Sequence, residues 1–298
     1  MITIDKNKCI SCEACYDVCP NYVIGVTGKG EIRSVEVKYP SHCCECGHCI
    51  SLCPSGAITN PLLTTEEFEE LKPVDFESEA LMNLMFLRRS VRCFKSQAVA
   101  RETIERLLQV AKHAGTASNA QSEGFLVVEN RELLNKLEKM VIDVLWNAGI
   151  KYLGKESGFM ISLLSLMYGP ETVRQGRHYY EIIQHRKENG ELHGEEKRGG
   201  MIFRNAPAVI VVHGEKKNSL STTNSALALR NIELLALTLG LGTCWVGFLM
   251  VAAQKSRKIN ELLGLSKNRI VTGALMIGYP THRYSRMIPR KDRDVRWT

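Results

Sequence analysis

"CISCEACYDVCP" occupies residues 9–20 and "CCECGHCISLCP" occupies residues 43–54. Moving the first stretch forward by 34 positions lays Cys9, Cys12, Cys15, Cys19 and Pro20 on Cys43, Cys46, Cys49, Cys53 and Pro54. Five coincidences at one offset make an internal repeat. The repeat also concentrates chemistry, because nine of the eleven cysteines lie in the first 53 of 298 positions.

Three uses compete for these thiols. Disulfides need an oxidising compartment, and the opening "MITIDKNKC" has no apolar core that could serve as a secretory signal. Zinc would be satisfied by two C-x2-C pairs and would leave Cys15, Cys19, Cys49 and Cys53 without a role. The spacing C-x2-C-x2-C-x3-C-P is that of bacterial-type ferredoxins, where the fourth cysteine of each run ligates the other run's cluster. Three closely spaced thiolates wrap three corners of a cubane, and the remaining corner needs a ligand from elsewhere. Residues 1–60 therefore resemble a two-cluster ferredoxin domain. The expected ligands are Cys9, Cys12, Cys15 and Cys53 for one [4Fe–4S] cluster and Cys43, Cys46, Cys49 and Cys19 for the other. Cys44 would break the repeat and is read as an unligated thiol. The proline after each run ends a local helix and turns the chain toward a short strand such as "YVIGV".

The remaining chain is long enough for one sizeable core, preceded by an acidic linker over residues 61–79. In "TTEEFEELKPVDFESEA", residues 64–80, Thr64 or Thr65 can cap a short helix that stops by Lys72, because Pro73 follows. Composition is that of a globular protein, 44% hydrophobic and 24% charged. Residues 1–60 hold five Lys/Arg against six Asp/Glu, so the formal +7 resides in the rest. Its basic residues form no dense run and no recognition motif, which disfavours nucleic acid and points to a cofactor phosphate or an acidic redox partner. Residues 234–253 are twenty positions without a charge. Gly240, Gly242 and Gly247 interrupt them, so a buried helix from about Thr222 to Gly240, a turn and a short strand are expected instead of a membrane span.

Four further blocks are weak singly. "LMNLMFLRRSVRCF", residues 81–94, ends an amphipathic helix in a guanidinium cluster with a hydroxyl, as a phosphate monoester requires. "GTASNAQ", residues 115–121, offers small polar groups before a strand. "LGLGTCWVGF", residues 239–248, lets backbone approach a planar ligand. "IGYPTHRYSRMIPRKD", residues 277–292, brings Arg283, Arg286, Arg290 and Lys291 to the chain's end. With the strand "NAPAVIVV" at residues 205–212, their order resembles the nitroreductase-like flavoprotein family over residues 80–298.

That resemblance implies an α+β domain, a mixed sheet flanked by helices, forming a homodimer with FMN at its interface. By position, Arg88, Arg89 and Ser90 would hold the phosphate and ribityl, and Arg92 would face the pyrimidine edge. Thr116, Ser118 and Asn119 would come from the partner chain. Val246 and Gly247 would present backbone N–H groups near N5, and Arg286 and Arg290 would complete the phosphate site. Ser122-Glu123 stands where many members have Pro-Trp, and Val246 where some have glutamate. Cys93 is read as a small core hydrophobe and Cys244 as flavin packing. Residues 145–203 are expected to cap the flavin with helices, with Phe159, Tyr168, Tyr179, Tyr180 and Phe203 as wall candidates.

Two cofactor types imply an enzyme. Clusters pass single electrons, and a flavin accepts one or two. The expected function is a cytoplasmic oxidoreductase of an anaerobic cell. It would carry electrons from a low-potential donor such as ferredoxin through two [4Fe–4S] clusters to FMN, and on to a small nitro, quinone or enone acceptor. NAD(P)H as direct donor is one alternative, although no G-x-G-x-x-G follows an expected strand. A redox-sensing module without a small substrate is the other.

Overall fold

A computed structural model describes residues 1–28, 33–64, 68–153, 158–189 and 200–298. Chain contacts separate residues 1–76 with 116–121 from residues 77–115 with 122–298.

In the N-terminal unit the sequence repeat becomes a backbone repeat. Strand β1 (Thr3–Ile4) precedes helix α1 (Ala14–Asp17), and β2 (Ile24–Thr27) pairs antiparallel with β3 (Ser34–Val37). Helix α2 (His48–Ser51) then leads to β4 (Ile58–Thr59), which returns to β1. Both short helices stop before their prolines, as expected. Left-handed backbone recurs at the same 34-residue offset: Ser11 (φ 55°) with Glu45 (54°), Glu13 (63°) with Gly47 (74°), and Tyr22 (55°) with Gly56 (58°). A non-glycine residue in that region costs about 1–2 kcal/mol, so four of them are kept against a local penalty. Such turns point successive N–H groups into a common concavity, the arrangement that suits an anionic iron–sulfur centre. The apolar core is correspondingly small. Ile2, Val23, Ile24, Val35 and Ile58 pack with the cysteines themselves.

Thr64 and residues 68–77 form no helix, so the capped acidic helix expected there is absent from the described residues; 65–67 lie outside them. Regular structure resumes at α3 (Ser78–Leu87), which ends at Arg88, and α4 (Arg101–Lys112) follows.

The second unit is built on a four-stranded sheet. Its elements continue with β5 (Gly124–Val128), α5 (Arg131–Leu153), α6 (Gly158–Tyr168), α7 (Pro170–Glu188) and β6 (Ala208–Glu215). Then come α8 (Ser221–Thr238), β7 (Gly242–Trp245), α9 (Gly247–Lys255), α10 (Arg257–Leu262) and β8 (Arg269–Gly278). The strand order is β5-β6-β8-β7, with every neighbouring pair antiparallel. The mixed sheet expected from the resemblance reduces to one parallel bridge, Ser90 to Thr243.

Alternation along the central strands assigns the layers. Ala208, Ile210 and Val212 of β6 and Leu275 and Ile277 of β8 pack on α4 and α8. Val209 and Val211 of β6 and Ala274 and Met276 of β8 pack on α5, α9 and α10. Both faces are covered, which is why "AVIVV" reads as an unbroken apolar run. Polar side chains inside this packing find partners at two places: Asn260 donates to Ala253 O (2.7 Å) and accepts from Val271 N–H (3.1 Å), and Ser225 meets Thr272 hydroxyl to hydroxyl at 2.7 Å. Among the described residues, no helix is long and apolar enough to cross a membrane.

Candidate functional site

Six of the eight repeat cysteines, Cys9, Cys15, Cys19, Cys43, Cys49 and Cys53, pack with the small core of the N-terminal unit. Cys15 is buried, Cys12 is exposed and the other six are half-buried. The hydrogen bonds to sulfur repeat as the backbone does: Val23 N–H donates to Cys19 Sγ and Ala57 N–H to Cys53 Sγ, each at 3.3 Å. The electrostatics sort the thiols into sets. Burial pushes Cys49 up to about 11, helped by the charges of Cys46, Cys19 and Cys43. Burial also raises Cys15, against its backbone hydrogen bonds and with Cys9 and Cys12 adding repulsion. Cys53 is the opposite case. Burial would raise it, but the Ala57 N–H, the Ser55 hydroxyl and neighbouring backbone donors hold it below the ordinary thiol range. Among the described residues no three Cys, His, Asp or Glu side chains converge on one point, as a single ion would need. A cubane offers four separate irons, so its ligands need not converge. Cys44 is half-buried beside Cys46, and its carbonyl accepts the Asn119 amide at 3.1 Å.

The second unit carries a cavity of about 870 Å³, within the size range of small-molecule sites. Its walls come from α5, α7, β7 and α9: Leu145, Tyr179, Tyr180, Ile183, Trp245 and Phe248 among them. Tyr179 meets Phe248 edge to face at 4.8 Å, and Trp146 stacks behind Tyr180 at 5.3 Å. Such pairs stiffen an aromatic wall. Among the described residues, three cations line the cavity, Arg92, Arg204 and Lys255, and no carboxylate does. Gly247 opens onto this space: a Cβ built there would meet nothing within 4 Å, so any larger residue would fill the cavity and not the core.

Arg204 was invisible to sequence reading because it belongs to no motif. It sits at the end of a tight turn, with Arg204 (φ 52°) and Asn205 (φ 53°) consecutively left-handed. Two such residues cost about 1–3 kcal/mol each and persist only where the surroundings over-determine them. Here they do. Arg131 donates to Asn205 O (3.3 Å) and Ala206 O (3.2 Å), and Glu138 accepts the Ile202 N–H at 3.2 Å. The Glu138 carboxylate also occupies the place where a Cβ on Gly200 would fall.

Residues 87–279 match the Nitroreductase family, and residues 8–57 match the 4Fe-4S dicluster domain. The first match covers well over half of the chain. The chain belongs to the nitroreductase family. It is an oxidoreductase of that family with an N-terminal ferredoxin-type domain. It is 24% identical over 207 residues to a protein of Archaeoglobus fulgidus described as an NADH dehydrogenase/NAD(P)H nitroreductase, spanning 68% of this chain and 86% of the relative. A ferredoxin of Methanocaldococcus jannaschii is 34% identical over 73 residues, spanning 24% of this chain and 91% of the relative. In fold, the chain is similar to a nitroreductase with bound FMN from Desulfitobacterium hafniense (TM-score 0.53, 19% identity, 73% and 98% of the two chains). A nitroreductase with bound FMN from Bacteroides fragilis is similar to the same degree (TM-score 0.51, 19% identity, 72% and 94%).

The nitroreductase-family positions fall into three groups. Arg92, Val246 and Gly247 line the cavity together, although Val246 needs correction: its N–H donates to Ala274 O at 2.9 Å within the sheet. Gly247 stands at the first position of α9, where a helix has no internal partner for its N–H. Around the guanidinium cluster, Arg88 pairs with buried Glu233 at 3.5 Å, and Ser90 bridges to Thr243. Arg89 is buried, donating to the carbonyls of Phe86, Arg88 and Arg286, while its Nε has no partner among the described residues. Arg290 and the Arg286 side chain lie exposed in an irregular tail. The third group is Thr116, Ser118 and Asn119. Their segment belongs to the N-terminal unit by contacts, and the Asn119 amide donates to Cys44 O and Glu45 O, both at 3.1 Å.

The two remaining thiols and the aromatic candidates take these places. Cys93 is exposed and not a core hydrophobe, because its carbonyl is held by Thr281 N–H at 3.1 Å with the side chain turned outward. Cys244 is buried; burial raises its thiol, against Arg92, Ser90 and Arg204, which leaves a packing group and no nucleophile. Of the aromatics, Tyr179 and Tyr180 line the cavity, Phe203 is core and Phe159 is exposed, while the Tyr168 side chain lies outside the described residues.

Proposed function

We propose that the chain is an FMN- and iron–sulfur-dependent oxidoreductase. It passes electrons from a low-potential donor, a reduced ferredoxin in first place, to a small organic acceptor of nitro, quinone or enone type. The observation that carries this reading is that one chain holds both an eight-thiol lattice and an aromatic-walled cavity of about 870 Å³. A redox sensor without a small substrate would not need that cavity. When bound, the clusters supply one-electron carriers, and FMN supplies the centre that couples single electrons to a two-electron reduction.

The chain's own residues set the conditions. Cys9, Cys12, Cys15 and Cys53 would hold one [4Fe–4S] cluster and Cys43, Cys46, Cys49 and Cys19 the other; the repulsion of Cys49 by Cys46, Cys19 and Cys43 supports the second set, and that of Cys15 by Cys9 and Cys12 supports three members of the first. The Val23 and Ala57 N–H groups stabilise negative charge on sulfur. Arg92 lines the cavity and would stabilise negative charge on a reduced flavin, an effect that the apolar wall would strengthen. Arg88, Arg89, Ser90, Arg286 and Arg290 would supply positive charge and a hydroxyl for the phosphate. Leu81, Met82, Met85 and Phe86 of α3 are uncovered in a single chain, which supports a homodimer with Thr116, Ser118 and Asn119 offered across it. The domain limits we assign are 1–60, a linker over 61–79, and 80–298.

The test is an anaerobic preparation analysed for iron, acid-labile sulfide and flavin. It is then assayed with reduced ferredoxin, NADH and NADPH against nitroaromatic, quinone and enone acceptors. About eight irons and one FMN per chain, with turnover driven by ferredoxin, is the expected result. Four irons, stoichiometric zinc or NAD(P)H as sole donor would each overturn a stated part of it.

A further inference from the structure

The three cavity cations are not all accounted for by a flavin. Arg92 has a flavin role by position, and Lys255 is exposed at the end of α9. Arg204 remains. It is half-buried, and its charged surroundings are Arg186 and Arg92, with the thiols of Cys244 and Cys93; among the described residues no carboxylate opposes it. Burial, then Arg186 and Arg92, hold its pKa below the usual arginine value, the direction expected where like charges gather in a poorly hydrated wall. A guanidinium in that position is costly unless something anionic completes it. The fold nevertheless maintains it on two consecutive left-handed residues clamped by Arg131. The same cavity is lined by the apolar and aromatic side chains of Tyr179, Phe248, Ile183 and Met276.

We propose that the cavity selects acceptors carrying a carboxylate on a flat apolar body, an aryl or enoyl acid, with Arg204 as the group that binds the carboxylate. The planar fork of arginine matches the two oxygens, and the wall takes the body. This deepens the reading under Proposed function and rests on it for the reduction itself, but binding can be read without turnover.

The experiment titrates the full-length protein, as isolated with its cofactors, with 4-nitrobenzoate and separately with 4-nitrobenzamide, by calorimetry. The two probes differ in charge and little in shape. Wild type should bind the benzoate at least tenfold more tightly. R204Q should lose that preference, R204K should retain part of it, and both should keep the wild-type FMN content. Equal binding of the two probes by wild type would overturn the proposal. So would a preference that survives R204Q, or loss of FMN from R204Q, which would make Arg204 a cofactor residue. Failure of the underlying reading looks different: a protein that reduces neither probe, whatever its binding preference.

Discussion

The two units hold themselves together by opposite means. The second has two extensive apolar clusters, one on each face of a sheet, with Leu107, Leu137, Ile210, Leu229 and Leu249 fully enclosed. The first has a handful of apolar residues, packed as much on cysteine sulfur as on each other, and at least four non-glycine residues in left-handed backbone. A segment of that size buries too little apolar area to balance its chain entropy. What it needs, its ligands must supply, whereas the second unit can stand without its cofactor. The difference predicts where damage spreads.

The sharpest break comes from the metal. Removing iron with a chelator under reducing conditions should unfold the first unit outright, because binding free energy there is folding free energy. C19S should do much of the same, since its sulfur is both a ligand candidate and the acceptor of the Val23 N–H at 3.3 Å. Far-UV circular dichroism with limited proteolysis would follow it. Survival of residues 1–60 without iron would remove the contrast between the units. C44S should leave the iron content unchanged.

The reverse break is L249A. Leu249 is fully buried at the meeting of α9 with the sheet, so truncation should cost about 2–5 kcal/mol of the second unit's stability. The charge-transfer absorbance of the clusters should be retained at temperatures where the second unit has melted. Simultaneous loss of both signals would show one cooperative structure in place of two.

G247V tests the cavity and not the fold. A Cβ at Gly247 meets nothing within 4 Å, so a larger side chain there extends into the cavity. Thermal stability should change by less than about 1 kcal/mol, as for surface substitutions. The flavin should be lost or much weakened. Full flavin content with full activity in G247V would remove Gly247 from the site.

This contrast also governs what could be read from sequence. A cubane takes three ligands from one short loop, so ligand spacing is written into adjacent positions, and a 34-residue repeat doubled the signal. The cavity is assembled from Arg92, α5, α7, the turn at Arg204 and the β7–α9 junction, which share no local pattern. Motif order pointed to Arg92 and Gly247, which line the cavity. It could not find Arg204, whose importance lies in a left-handed turn held by Arg131 more than seventy positions away. Nor could it show that the Val246 N–H is consumed by Ala274, since strand pairing is decided by partners distant in sequence. The alternation of β6 and β8 was hidden for another reason: both faces are buried, so the polar half of the pattern is missing.

The smallest expected effect concerns acid. His213, on β6, has its pKa lowered by burial and then by Arg269, whose Nε donates to its Nδ1 at 2.8 Å. That bond requires an unprotonated Nδ1. Above about pH 6.5, the ordinary histidine value, both folded and unfolded forms are neutral at this position and it makes no pH-dependent contribution. Below that value the unfolded chain takes up a proton that the folded chain refuses. Stability therefore falls as pH drops from the unfolded value toward the lowered folded one. H213Q keeps an acceptor for Arg269 but cannot titrate. Measured between about pH 7.5 and 5, the melting temperature of the second unit should fall more steeply in wild type than in H213Q, with the two curves meeting at the alkaline end. Parallel curves would mean that His213 is as easily protonated in the fold as out of it. The cluster-dependent transition of the first unit should show no difference between the two proteins, because the titrating group and its arginine both belong to the sheet of the second.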